Sequence, residues 1–326
     1  AQRQTGSSMF LVAAVLAIFS AVAVGQKAAR LLGIEREGIE KLALSYTLGL
    51  TVLSMFAFFA LAAGQLTPVF LVGVAVLFIM LWGREACQTF HDAWPRNYQP
   101  TSGERWILRL LGLVLLYQLA GALSPETSTD PLCYHLAIPK YHLMERALVE
   151  IPYCLPAQYP MLGQFFYLLP LTLGVIPMAV KLVCFWQLVL VTALLWDWLR
   201  KETSGRTAGM ISMAYLTAPV FTHYVPIRAD IQYLLDLVAL QLGLALIRFS
   251  RLNTRRSFLP VALLAGIAAA CDYKGILFGT AVAFAFILIG PPWRQRSILE
   301  RLNQSALILI AAIIMLSPWA LKNFSI

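Results

Sequence analysis

Eight stretches of this chain stay apolar for about 17–22 residues, each long enough to carry a helix across roughly 30 Å of hydrocarbon. They lie near residues 8–25, 42–63, 66–83, 106–122, 178–199, 207–226, 230–248 and 304–321. Backbone at that depth must satisfy its own hydrogen bonds, which leaves helices or closed barrels. Strand-like alternation is weak, which argues against a barrel. With 60% hydrophobic and 13% charged residues, the composition is that of an integral membrane protein rather than a soluble domain. The expectation is an all-α, polytopic transmembrane bundle.

Basic residues set the orientation. Loops 26–41, 84–109, 199–206, 248–256 and 291–303 hold 18 of the 25 Lys and Arg and alternate with spans as cytoplasmic loops do. The opposite side then receives 64–67, 123–157, 226–229 and 271–275. The basic residues are dispersed along helix ends, so the net charge of +9 does not point to nucleic acid.

Two segments break simple parity. Residues 158–177 lie between points that must both be external, so they are expected to be re-entrant or interfacial, helped by Pro160 and Pro170. Residues 257–290 read as a hairpin of two short arms whose polar tip, Cys271-Asp-Tyr-Lys-Gly275, stops in the outer leaflet. This gives about ten crossings. The first 26 residues have a signal-peptide pattern and are read as a retained first helix. The chain divides into residues 1–104, three plain helices that pack or face partners, and 105–326, which carries the polar features, including an external loop at 123–157. Five cysteines have no metal spacing; Cys133 and Cys154 share the external loop and either pair or remain free thiols.

That loop holds the most unusual segment, Thr129-Asp-Pro-Leu-Cys-Tyr-His-Leu-Ala-Ile-Pro-Lys140. Ionisable groups at the mouth of a span usually mark chemistry, ion paths or partner binding. Asp130-Pro131 fits an N-cap with Pro at the first helical position; a carboxylate there also suits a general base. Leu132, Leu136, Pro139, Leu143 and Ala147 form the apolar stripe of a surface-lying helix, with Lys140, Glu145 and Arg146 off it. Asp230 sits at the start of another span on the same side. It either rests on the helix dipole, joins Asp130 in binding a divalent cation, or shares base and electrostatic roles with it. Arg228 pairs with Asp230 or binds phosphate. In Asp272-Tyr273-Lys274, Lys274 pairs with Asp272 or neutralises a lipid-linked phosphate, with Gly275 allowing close approach. His135 is a hydrogen-bonding residue at the interface or a substrate contact. Asp236 lies inside its span and is a functional candidate by depth. Asp197 reads as belt decoration, and Lys181 snorkels to the outer surface.

Asp130-x-x-x-Tyr134-His135-Leu136-x-x-Pro139-Lys140, followed by a Pro-rich loop and Pro160-Met-Leu-Gly-Gln164, resembles the first external loop of bacterial GT-C glycosyltransferases. These are the polyprenyl-phosphate-sugar-dependent membrane enzymes similar to protein O-mannosyltransferases and lipid A aminoarabinose transferases. Arg228-Ala-Asp230, the Gly266 arm leading to Tyr273-Lys274, and Ser317-Pro-Trp319-Ala-Leu-Lys-Asn323 are similar too, so the resemblance covers roughly 105–326. It implies Asp130 as general base on the acceptor, Asp230 as second carboxylate at a metal or donor site, and Lys274 as the basic residue near the donor phosphate. Two features depart from the pattern. Three helices precede the usual first one, and the chain ends soon after Asn323, where family members continue, so the expectation is a fragment of a longer protein, a remainder beyond the given sequence, or a loss of the acceptor half.

The reading is an inverting glycosyltransferase of a bacterial inner membrane, acting on the periplasmic face with a polyprenyl-phosphate sugar. Tyr134, His135 and Lys140 contact substrate, Arg228 and Lys274 hold the phosphate, and Mg²⁺ or Mn²⁺ sits near Asp130 and Asp230; no nucleotide cofactor is needed. Two rivals are a non-catalytic membrane subunit on the same scaffold, with partners on helices 1–104, and a lipid flippase or transporter using Asp236, Asp272 and Lys274 as a relay.

Overall fold

The computed structural model describes residues 6–94, 98–152, 154–172, 177–218, 227–252, 254–288 and 297–325. Among them there are twelve α-helices and no strand. In chain order they are α1 (Gly6–Leu31), α2 (Gly38–Ala62), α3 (Pro68–Asp92), α4 (Ser102–Ala122), α5 (Ala137–Glu145), α6 (Leu162–Thr172), α7 (Pro177–Glu202), α8 (Gly205–Thr217), α9 (Gln232–Leu252), α10 (Arg255–Cys271), α11 (Tyr273–Leu288) and α12 (Ile298–Ser325). Seven of them, α1 to α4, α7, α9 and α12, are long and apolar enough to cross a membrane.

Local chemistry starts and stops these helices where the sequence provides for it. Thr101 and Glu104 form a reciprocal capping box at α4, and Thr254 with Ser257 repeats it at α10. Thr67 caps α3 by accepting from the Phe70 amide at 3.2 Å. The α2–α3 turn closes through Gly64 in the left-handed region (φ 66°).

Helix α2 is the hub: 78% of its apolar window is buried, against 22% for α3, α4 and α12, which leave most of their apolar surface uncovered. Three successive polar residues tie it to three helices. The Ser45 hydroxyl donates to Gln26 of α1 (2.9 Å), Gln187 of α7 donates to the Tyr46 hydroxyl (3.1 Å), and Gln241 of α9 donates to Thr47 (2.8 Å). Such bonds fix register where apolar packing alone discriminates poorly. Backbones meet directly where α1 crosses α2: a Cβ on Gly49 would lie 1.7 Å from the Ala21 carbonyl oxygen, and one on Gly25 would lie 1.6 Å from that of Ser45. Only glycine fits there.

The two segments that broke parity are short helices. Helix α6 is only 11 residues, buried from Leu162 to Leu171, and its continuation at 173–176 lies outside the described residues. The 257–290 hairpin is α10 and α11, broken at Asp272, whose backbone is extended (φ −169°). The expected span over 207–226 is a helix only as far as Thr217, with 219–226 outside the described residues.

Several local expectations are corrected. Asp130 makes no cap bond, because its own backbone is helical (φ −58°, ψ −49°) and the chain enters a π-turn, Pro131–His135, closed by the Leu136 amide on the Pro131 carbonyl (2.9 Å). The surface helix starts only at Ala137, so Leu132 is exposed while Leu136, Pro139 and Leu143 are buried. Lys181 does not snorkel: it is 1% exposed and donates to the Ser124 carbonyl (2.9 Å) and hydroxyl (3.3 Å) and to the Pro125 carbonyl (3.3 Å). Asp197 is not decoration but accepts from Arg200 and Lys201, each at 2.6 Å. Cys133 and Cys154 are free thiols.

Candidate functional site

Three breaks in the helical fold converge at one end of the bundle: the π-turn after Asp130, the segment Arg228–Asp230 leading into α9, and the α10–α11 break at Asp272. Irregular backbone in a membrane fold needs protein or water to satisfy it, and here it lines a cavity of about 420 Å³. Asp130, Tyr134 and His135 form one wall, Arg228 and Asp230 a second, Asp272, Tyr273 and Lys274 a third, and Gln164 and Tyr159 complete it.

Asp230 is the fixed carboxylate. Oδ1 stands 3.4 Å from His135 Nε2 and accepts from the Gln232 amide (3.2 Å), while Oδ2 stands 3.7 Å from Arg228. Its carbonyl accepts from the Tyr167 hydroxyl at 2.9 Å. One residue earlier, the Ala229 amide donates to Glu126 (2.8 Å), whose other oxygen accepts from Thr127 and Ser128. Glu126 thus ties residues 126–128 to the start of α9, while Lys181 of α7 holds Ser124 and Pro125 beside them.

His135 is 5% exposed. The Gln164 amide nitrogen lies 3.1 Å from Nδ1 and only donates, so the ring proton sits on Nε2, facing Asp230. Burial lowers the His135 pKa, opposed by Asp230 and Asp130, which favours the neutral ring. Tyr134 packs on it, ring centroids 4.2 Å apart, and its hydroxyl pKa is pushed up to about 12 by burial and by Asp130, Asp230 and Asp272, so it remains a donor.

Asp130 is exposed, and its carboxylate has no protein partner among the described residues. Lys274 has no carboxylate partner either: its ammonium lies 5.9 Å from the Tyr273 ring centroid, and Asp272 instead accepts from the Tyr273 amide (2.7 Å). A carboxylate and an ammonium without ion-pair partners among the described residues thus face one cavity, beside the linked His135, Asp230 and Arg228.

Seven sequence-derived candidates can be placed. Asp130, Tyr134, His135, Arg228, Asp230 and Lys274 line the cavity; Lys140 does not, lying exposed on the outer face of α5. As a cation site the walls fit poorly: among the described residues no group of three or more His, Cys, Asp or Glu converges, and both Asp230 oxygens already face donors. Sequence reasoning gave Gln164 and Gln232 no role, although a lone amide in an apolar run, as at Gln164, is a usable signal. Gln232 also links the site to Asp236, donating to it at 2.8 Å while the Tyr215 hydroxyl donates at 3.0 Å, so the intramembrane carboxylate is held by the bundle. In comparisons with known proteins, no family model, no curated protein and no solved structure matches this chain.

Proposed function

We propose that this chain is a membrane glycosyltransferase that moves a sugar from a polyprenyl-phosphate donor to an acceptor hydroxyl, on the periplasmic face of a bacterial inner membrane. The observation that carries the reading is the convergence of an unengaged carboxylate, Asp130, and an unengaged ammonium, Lys274, on one cavity from sequence positions far apart. Neither has an ion-pair partner among the described residues, and Lys274 only skirts the Tyr273 ring at 5.9 Å, so both are available to a ligand.

In the reaction, Asp130 takes the acceptor proton as the hydroxyl oxygen attacks the anomeric carbon. The bond from that carbon to the phosphate oxygen breaks on the opposite face with inversion, and its electron pair leaves with the polyprenyl phosphate. Lys274 and Arg228 stabilise the charge gathering on that phosphate. Asp230 orients Arg228 and the His135 ring, and Tyr134, packed on that ring, donates to the sugar. No step is routed through a cation.

The test is transfer of label from a polyprenyl-phosphate sugar pool in membranes carrying the wild type or Asp130→Asn at matched abundance. Labelled product from the wild type alone supports the transferase. Equal labelling from both, or none from either, moves the reading to a non-catalytic subunit, for which the thinly buried faces of α3, α4 and α12 offer partner surface.

A further inference from the structure

A second cavity, of about 320 Å³, lies at the other end of the bundle, where α1 turns into α2. That end collects the basic loops: Arg248 of α9 reaches Glu40 of α2 (2.7 Å), Lys41 reaches Asp92 of α3 (3.5 Å), and Arg251 reaches Glu202 of α7 (2.9 Å). The cavity is separate from the Asp130 site and plays no part in the reaction above.

Its lining is built for an anion. Arg30, Arg36 and Lys41 face it, against a single lining acid, Glu35, which is exposed and free to turn to solvent. The carboxylates that fix these cations do not line the cavity: Glu85 holds Arg30 (2.8 Å), Glu40 holds Arg36 (2.9 Å) and Asp92 holds Lys41. Glu40 is shared between two guanidiniums, Arg36 and Arg248, and holds them from outside the lining. Gln26, 5% exposed, also lines the cavity. Its carbonyl oxygen accepts from Ser45, and its amide nitrogen has no protein acceptor among the described residues.

We propose that this cavity binds the phosphate headgroup of an anionic membrane lipid, with Gln26, Arg30, Arg36 and Lys41 as its donors. Leu31 (76% exposed) and Leu32 (41% exposed) lie between the lining residues Arg30 and Gly33 in sequence, and give the acyl chains an apolar surface beside the charged mouth. Charge attraction and apolar contact together favour a lipid over a soluble phosphate.

The test is equilibrium binding of labelled phosphatidylglycerol to the purified full chain in neutral detergent, with phosphatidylcholine and inorganic phosphate as competitors. The wild type is expected to bind about one phosphatidylglycerol per chain, displaced by neither competitor. Arg30→Gln and Gln26→Met are each expected to weaken binding about tenfold. Arg228→Gln, in the opposite cavity, is expected to leave it unchanged. Arg30 is half exposed, so that variant keeps the test open if Gln26→Met fails to fold. Displacement by phosphate, with the same sensitivity to Arg30 and Gln26, keeps the anion site and overturns the lipid as its ligand. Equal affinity for phosphatidylcholine, indifference to both inner variants, or loss in Arg228→Gln alone overturns the site itself.

Discussion

Acidification should unfold this protein partly through one residue of α5. His142 is fully buried, accepts from the Val149 amide at Nδ1 (3.3 Å), and leaves Nε2 without a partner among the described residues. Burial, and then the Lys322 ammonium, push its pKa down to about 4 from the ordinary 6.5. Folding therefore requires the neutral ring. Between the two values the unfolded chain binds more protons, so the stabilisation is complete above the ordinary pKa and is lost as pH falls toward the folded one. Linkage gives a loss of about 1.4 kcal/mol at pH 5.5, about 2.5 at pH 4.5 and about 3 near the folded pKa. The assay is reversible denaturant unfolding in detergent, followed by Trp fluorescence at those pH values, for wild type and His142→Asn. Asparagine retains an acceptor for the Val149 amide but does not titrate. The difference between the two curves should shrink by the amounts above as pH falls. Parallel loss of stability in both proteins would refute the reasoning, because carboxylate titration is common to them and cancels.

Other perturbations test how the fold supports the site. Gly275→Ala puts a Cβ 1.7 Å from the Ala268 carbonyl oxygen, so α10 and α11 must part by more than an ångström; a loss above about 2 kcal/mol and reduced transfer are expected, while Gly243→Ala, which meets open space, should be neutral or mildly stabilising in the same melt. Lys181→Met strands the Ser124 and Pro125 carbonyls and should cost about 1–3 kcal/mol, with faster proteolysis of loop 123–128 as the second readout. Lys274→Met should raise KM for the lipid-linked donor about tenfold or more with little change in melting temperature, and Lys274→Arg should recover part of it. If Lys274→Met melts far below wild type, its ammonium is structural and not a donor contact.

The helices were legible because their signal is local. An apolar run long enough to span hydrocarbon can hardly do anything else, and the predicted starts of α2, α3, α7 and α9 fall within a few residues of those observed. The break at Asp272 was visible for the same reason, since a polar tip cannot continue an apolar helix at that depth. Register was not legible. That Ser45, Tyr46 and Thr47 would bond three different helices depends on which faces of α1, α7 and α9 meet α2, and no periodicity within α2 states it. His142 and Lys181 were misjudged or overlooked because charge on a short helix or at a span end reads as surface until the neighbours that bury it are known.

The candidate site divides along the same line. The alternation of basic loops alone put Asp130, Tyr134, His135, Lys140, Arg228, Asp230 and Lys274 on one side of a bundle. The assignment of parts needed the tertiary structure. It fixed Asp230 between His135 and Arg228, left Asp130 and Lys274 unengaged, and put Lys140 on the outside. Hydrophobic run length is a property of the chain and survives any arrangement of the helices. Which ionisable group finds a partner is a property of distance between segments far apart in sequence, and only packing sets that distance.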